Sequence, residues 1–344
     1  MSPVMQQQTK KRKGEHVEIV LNKDVQYLHG TGLDKVKFAH CALPHINLDR
    51  IQCRALFLGK RLELPFMITA ATGGYQKAEK INRDLAAACQ EKGIAFGLGS
   101  QRAMIEDPSL GKTYRVRDVA PDVFVCGNIG AYQLAQYYKA GEFAKVEAAM
   151  NRIDADALCI HLNALQEAIQ PEGDRDWTGV PKAIEAACSR LSIPIIAKET
   201  GAGMDGQTAK ALERMGVKAI DVSGSGGTSW SAVELERHLE QDRIAEFRDW
   251  GLPTSISIVE CASQVKIPII ASGGIRSGLD AAKAMRLGAT LAGAAYPFVK
   301  AQNSAGRAGV VSEISRWERS LKTAMFLTNS QNLEQLSKAR LLVY

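Results

Sequence analysis

IPIIASGGIRSGLDAAKAMRLGATLAGAA, residues 267–295, reads as a strand, a turn, a helix and a second strand. Ile267–Ser272 is a short apolar run of β-formers. Gly273-Gly274-Ile275-Arg276 breaks it. Asp280–Leu287 has helical spacing with Gly288 behind it, and Leu291–Ala295 is apolar again. Working outward, the same rhythm recurs along most of the chain. The strand-like runs are Pro65–Ala71, Ile94–Ser100, Asp122–Asn128, Ala157–Asn163, Ile193–Glu199, Ala219–Ser223, Ile267–Ser272 and Leu291–Ala295. Amphipathic segments such as EKINRDLAAACQEKG and QTAKALERMG lie between them. The second of these ends in Gly216, a residue that accepts the positive φ of a helix terminus.

Eight nearly uninterrupted βα units predict an α/β protein with a (β/α)8 barrel, the TIM-barrel architecture. The runs are apolar on both faces, as parallel strands covered by helices should be. An open doubly wound sheet would give the same alternation, so the count by itself leaves both open. Residues 1–64 read as an N-terminal extension. It comprises a polar tail to about residue 14 and an irregular stretch, Glu15–Glu63, with a helix around Glu15–Lys23. Residues 65–344 read as the barrel, with a C-terminal helix through Ile314–Leu327.

Composition narrows the function. Of 344 residues, 46% are hydrophobic and 23% charged, which excludes wholesale disorder, collagen and coiled coil. The longest uncharged stretches, such as Leu287–Val299, fall short of the ~18 apolar residues of a membrane span. KKRK at 10–13 has no apolar core behind it, so no secretory signal is read and a cytoplasmic location is expected. The net charge of +6 suits anionic small molecules and is weak support for nucleic acid. Seven cysteines without a CxxC pair read as reduced structural thiols, among them Cys89, Cys159, Cys188 and Cys261.

Barrel chemistry sits where strands hand over to loops at their C-terminal ends. Those places carry Ala70-Ala71-Thr72-Gly73-Gly74, Gly99-Ser100-Gln101-Arg102, Gly127-Asn128, His161-Leu162-Asn163 with Gln166-Glu167, Lys198-Glu199, Ser223 through Thr228, Ser272 through Arg276, and Gly293 through Tyr296. Glycines after the seventh strand let backbone N–H groups approach a phosphate, and a helix start adds its positive end. Lys198 at a barrel mouth needs an anion, either an electron-rich ring or a phosphate; the alternative is an ion pair with Glu199. Asn128 suits an amide facing a heterocycle. His161 and Asn163 share a strand face with Cys159 and begin a polar wall. Glu167 and the acidic run Glu172, Asp174 and Asp176 could hold Mg²⁺, which prefers oxygen ligands and substrate phosphates. A solvated surface turn is the plain alternative for that run.

With these motifs the chain resembles the type 2, FMN-dependent isopentenyl-diphosphate delta-isomerases, from about Arg12 to Lys300. The specific signatures are Arg12-Lys13-Gly14-Glu15-His16 and the run His161-Leu162-Asn163, Gln166-Glu167, Pro171-Glu172-Gly173-Asp174-Arg175; the late glycines are shared with other FMN barrels. One departure is Ala71, where the family often has Met. The resemblance implies FMN across the mouth, lined by Ala70, Ala71, Thr72, Ser100, Asn128, Lys198 and Thr228. Gly273, Gly274 and Arg276, with Ala295 and Tyr296, would take its phosphate. Substrate diphosphate would meet Arg12, Lys13, Ser100, Gln101 and Arg102, with Asn163 beside them. Gln166 and His161 are the expected catalytic residues, and Glu167 the Mg²⁺ ligand.

The implied reaction converts isopentenyl diphosphate to dimethylallyl diphosphate in isoprenoid biosynthesis. Reduced FMN would act in acid–base chemistry after reduction by NADPH. A homo-oligomer, a tetramer or an octamer, is expected; no nucleic acid or membrane partner is. Two alternatives remain: an FMN-dependent barrel oxidoreductase acting on a hydroxy acid, and a non-catalytic flavin- or phosphate-binding protein. The first needs a base for a substrate hydroxyl, and His161 is the only histidine at a strand end.

Overall fold

The computed structural model describes residues 18–20, 22–170, 173–237 and 245–342. A short antiparallel hairpin, β1 (Ala55–Phe57) and β2 (Lys60–Leu62), precedes eight parallel strands: β3 (Phe66–Ile68), β4 (Ala95–Gly97), β5 (Val125–Gly130), β6 (Ala157–Leu162), β7 (Ile195–Glu199), β8 (Ala219–Asp221), β9 (Ile269–Ala271) and β10 (Leu291–Ala294). They pair in chain order, and β10 returns to β3, so the sheet is a closed barrel. Closure settles the choice left by the sequence in favour of the barrel over the open sheet. Each expected run holds one strand, mostly shorter than the run, but β5 continues past Asn128 to Gly130. Residues trimmed from the C-terminal ends have left the ladder to build the loops of the mouth; Ala70, for one, turns to φ 30°.

Alternation along each strand sorts the side chains into two cores. Leu158 and Ile160 of β6 face the surrounding helices, in one cluster with Ile68, Phe96, Val125, Ile195, Ile220 and Ile269. Cys159 points inward with Met67, Ala95, Cys126, Ile196, Ile270 and Leu291. The hairpin enters that inner cluster. Phe57 is fully buried there and meets Phe124 edge-on, ring centres 5.3 Å apart. The extension therefore contributes part of the barrel's filling, a role its irregular text does not display.

The C-terminal helix is longer than read. It spans Tyr296–Leu327 and is interrupted at Ala305 and Gly306, where Gly306 takes φ 56°. Trp317 packs on Phe66 and Phe298. A last helix covers Leu333–Ser337. All seven cysteines are free thiols, and burial pushes the Cys89 thiol well up. No helix among the described residues is long and apolar enough to cross a membrane.

Candidate active site

A cavity of about 370 Å³ opens at the C-terminal ends of the strands, a size suited to a cofactor or small ligand. Register sets its floor. His161 on β6 lies beside Lys198 on β7, which lies beside Asp221 on β8. These inward-facing polar residues cap the apolar filling below. The Lys198 ammonium donates to Ser223 Oγ at 3.0 Å and to the Glu199 carbonyl. Its nearest partner on Glu199 is thus a backbone oxygen. Ser223 holds that place with φ 39°, a left-handed conformation uncommon outside glycine. Such outliers cluster at functional sites. Asp221, fully enclosed, accepts from Ser272 Oγ; burial raises its pKa, opposed by Lys198.

The Glu199 carboxylate turns away from Lys198. One of its oxygens accepts the N–H groups of Thr200, Gly201 and Ala202. Burial nevertheless pushes its pKa up to about 7, with those N–H groups and Lys198 pulling the other way. The folded chain then holds a proton between roughly pH 4.5 and 7 that the unfolded chain has released. Stability should therefore fall as pH rises through that window, by about 3 kcal/mol in all. Glu199→Gln removes the titration. Thermal melts at pH 5 and pH 7.5 should show a drop for the wild type relative to this variant; equal pH dependence would refute the raised pKa.

Beside them, at the end of the neighbouring strand β6, stands an amide wall. Asn163 sits at the N-terminus of the helix Ala164–Ile169. Its Nδ2 donates to Glu167 Oε1 at 2.8 Å and to Gln166 Oε1 at 3.3 Å. Asn163 Oδ1 is buried without a donor among the described residues. Gln166 Nε2 donates to Glu234 Oε1 at 2.8 Å, and Arg237 clasps the other oxygen of Glu234 at 2.5 Å. Glu234 is 1% exposed. His161 Nδ1 lies 2.8 Å from Asn128 Oδ1, so Nδ1 carries the proton there. Asn128 then has its Nδ2 donor left to offer a heterocycle.

The end of the cavity at Gly273 and Gly274 is a glycine turn. Gly273 and Gly274 both have positive φ, and a Cβ on Gly273 would lie 2.0 Å from the Gly224 carbonyl oxygen. Arg276 stacks its guanidinium over the Tyr296 ring at 5.1 Å. This glycine turn, with an arginine beside it, fits the phosphate of a flavin mononucleotide.

Most expected residues meet at this cavity: Ala70, Ala71, Thr72, Ser100, Arg102, Asn128, His161, Asn163, Gln166, Glu167, Lys198, Thr228, Gly273, Gly274, Arg276, Ala295 and Tyr296 all line it. Gln101 does not. It is fully buried, donates to the Gly99 carbonyl at 2.7 Å and accepts from the Asn128 N–H. It stitches the β4 loop to β5, and no surface is left for a diphosphate. Arg102 is paired with Glu106 at 2.7 Å. Arg12, Lys13 and Glu172 lie outside the described residues. Asp176 is occupied in an exposed turn with Thr178, and Asp174 accepts from Gln133 while its N–H serves Glu167. Sequence reasoning passes over Gln26, Trp230 and Glu234. Glu234 has one available signal: a charge following the largely apolar stretch Trp230-Ser231-Ala232-Val233, with Arg237 one turn on.

Comparison with known proteins bears on this cavity. The profile of the FMN-dependent dehydrogenase family matches residues 132–343. An isopentenyl-diphosphate delta-isomerase of Pyrococcus furiosus is 46% identical over 95% of this chain and 85% of its own length. The chain belongs to this isomerase family. A further member, from Methanosarcina mazei, is 46% identical over 97% and 92% of the two chains. Among solved structures, a lactate oxidase of Pediococcus acidilactici superposes with TM-score 0.68 over 98% of this chain and 95% of that one, at 16% identity. That likeness shows a shared barrel fold. Family membership bears out the resemblance read from the motifs.

Proposed function

We propose that the chain converts isopentenyl diphosphate to dimethylallyl diphosphate with FMN bound in its reduced form, supplied with electrons by NADPH. One observation carries the reading: a glycine turn with Arg276, a buried ammonium and a glutamine held by a buried carboxylate all line one cavity. The relatives' shared name agrees with it, whereas the lactate oxidase shares the fold alone.

The reaction adds a proton to one alkene carbon and removes one two carbons along, so positive charge builds on a tertiary carbon. FMN, when bound and reduced, supplies ring N–H groups for proton transfer and an electron-rich face for that charge. The chain's residues bind and orient. Lys198 offers a fixed positive charge, and its grip on Ser223 and the Glu199 carbonyl fixes its position. Gln166, with its Nε2 tied to Glu234, presents its amide to the hydrocarbon end. Asn128 locks the His161 tautomer. Arg102 and Ser100, both lining the cavity, would meet the diphosphate.

Glu167 is assigned to Mg²⁺. Its carboxylate lines the cavity, Oε1 accepting from Asn163 Nδ2 and Oε2 from the Asp174 N–H, and each oxygen keeps a lone pair for a hard cation. Among the described residues no group of three His, Cys, Asp or Glu side chains could hold a metal alone. Mg²⁺ would therefore take the rest of its ligands from substrate phosphates and water, its usual habit. Glu167→Gln keeps size and loses charge. It should raise the Mg²⁺ concentration for half-maximal rate while FMN content stays normal; an unchanged Mg²⁺ titration would remove Glu167 from this role.

The deciding experiment is anaerobic incubation with FMN, NADPH, Mg²⁺ and isopentenyl diphosphate. Dimethylallyl diphosphate is the expected product. Flavin reduction without it would favour the non-catalytic alternative. A cytoplasmic homo-oligomer, tetramer or octamer, belongs to the same proposal, and light scattering on the purified protein reads its size.

A further inference from the structure

The segment Asp24–Thr31 is fastened to the loops that carry the phosphate cradle. The Tyr27 N–H donates to the Gly227 carbonyl and the Ser229 N–H to the Val25 carbonyl, each at 2.8 Å. Gln26 and Thr228 form an antiparallel bridge. His29 Nε2 lies 2.8 Å from Ser225 Oγ, and the Tyr27 hydroxyl donates to the Trp250 carbonyl at 3.0 Å. The approach is too close for side chains. A Cβ on Gly226 would lie 2.4 Å from the Thr31 nitrogen, and one on Gly274 would lie 2.4 Å from Thr31 Cγ2.

At the inner edge of this segment one amide serves two cavity-lining residues. Gln26 Nε2 donates to Thr228 Oγ1 at 3.3 Å, and Gln26 Oε1 accepts from Arg276 Nη2 at 2.9 Å. Thr228 and Arg276 both line the cavity. The directions of these two bonds matter. A threonine oxygen that accepts from Gln26 keeps its own O–H for another partner. An arginine that gives one N–H to Gln26 and one, from Nη1, to the Ile275 carbonyl at 3.3 Å has its plane set while other N–H donors remain. Both residues are thereby aimed as donors, the polarity an anion requires. Gln26 is neutral, so it orients Arg276 without cancelling its charge.

We propose that Gln26 is a positioning residue for the cofactor phosphate, and that FMN binding and the docking of Asp24–Thr31 stabilise each other through it. The inference rests on the reading that Gly273, Gly274 and Arg276 take that phosphate. Coupling of this kind is reciprocal: if the docked segment favours FMN, FMN favours the docked segment by the same factor.

The test uses the full chain, stripped of flavin and titrated with FMN, with affinity read from flavin fluorescence. Loss of a hydrogen bond to a charged group costs roughly 1.5–3 kcal/mol, so Gln26→Ala should bind FMN about ten- to hundredfold more weakly. Gln26→Glu should be at least as weak, because its carboxylate competes with phosphate for Arg276. Hydrogen exchange supplies a readout that a purely structural role would not move. FMN should slow exchange at Tyr27 and Leu28 in the wild type and not in Gln26→Ala. Arg276→Ala separates the two levels. If the wild type binds no FMN, or Arg276→Ala binds it normally, the cofactor reading falls and this inference with it. If Arg276→Ala is weakened while Gln26→Ala keeps wild-type affinity and FMN-dependent protection, the inference alone is overturned.

Discussion

Gln166→Asn should lower turnover about a hundredfold, with FMN content and Mg²⁺ requirement unchanged. The substitution keeps the amide and shortens its arm by one methylene. In the wild type Gln166 spans from the Asn163 amide to Glu234, at 3.3 and 2.8 Å. Glu234 cannot follow a retreating partner, because Arg237 holds its other oxygen and the carboxylate is buried. The shortened amide must give up either Glu234 or the place proposed for it at the hydrocarbon end. A misplacement of about 1 Å near the chemistry can cost a hundredfold. Steady-state rates at saturating substrate and metal measure the effect. Rescue by added Mg²⁺ would instead place Gln166 with the metal, and the assignments of Gln166 and Glu167 would have to be exchanged.

Lys198→Met carries the larger expected loss, about a hundred- to a thousandfold in turnover, the usual cost of deleting one preorganised electrostatic donor. Methionine matches the length and apolar stem of lysine and removes the charge. Lys198 is 8% exposed and flanked by Asp221 in register on the next strand. Without the ammonium, Asp221 loses its opposing charge and should be driven further toward its protonated form. The variant should still bind FMN, since the phosphate cradle lies on other strands, but its flavin should be harder to reduce. Midpoint potentials of the two loaded proteins test this. An unaltered potential with normal turnover would mean that Lys198 merely fills the barrel mouth.

How far the sequence reveals this site depends on how local each signal is. The strand runs are local: β-formers between glycine turns mark every barrel strand within a few residues. The positions following them are local too, which is why the sequence alone puts Lys198, Asn128 and Gly273-Gly274 at a barrel mouth. Gln101 shows the limit. Ser100, Gln101 and Arg102 adjoin in sequence, yet at the turn into a helix successive side chains diverge. Ser100 and Arg102 face the cavity while Gln101 turns back into the backbone of β4 and β5. Glu234 and Gln26 lie outside every strand end, 68 residues after Gln166 and 250 residues before Arg276. Their roles exist through tertiary approach. The hairpin at Ala55–Leu62 is hidden likewise: two strands of three residues carry too little alternation to read.

The barrel is sealed by residues far apart along the chain. β10 pairs with β3, and the helix Tyr296–Leu327 lies against Ala78–Lys92, with Glu318 on Lys92 and Arg307 on Glu91. Trp317 meets Phe66 edge-on. During synthesis, then, β3 must wait with an unpaired edge until β10, far along the chain, has left the ribosome. Contacts of such separation slow folding, because loop entropy is lost before they form. The nascent chain is consequently most exposed to aggregation and to chaperones just before its final helices appear. Mutations at the Phe66–Trp317 seam should then be felt first as lower yield of folded protein rather than as altered catalysis.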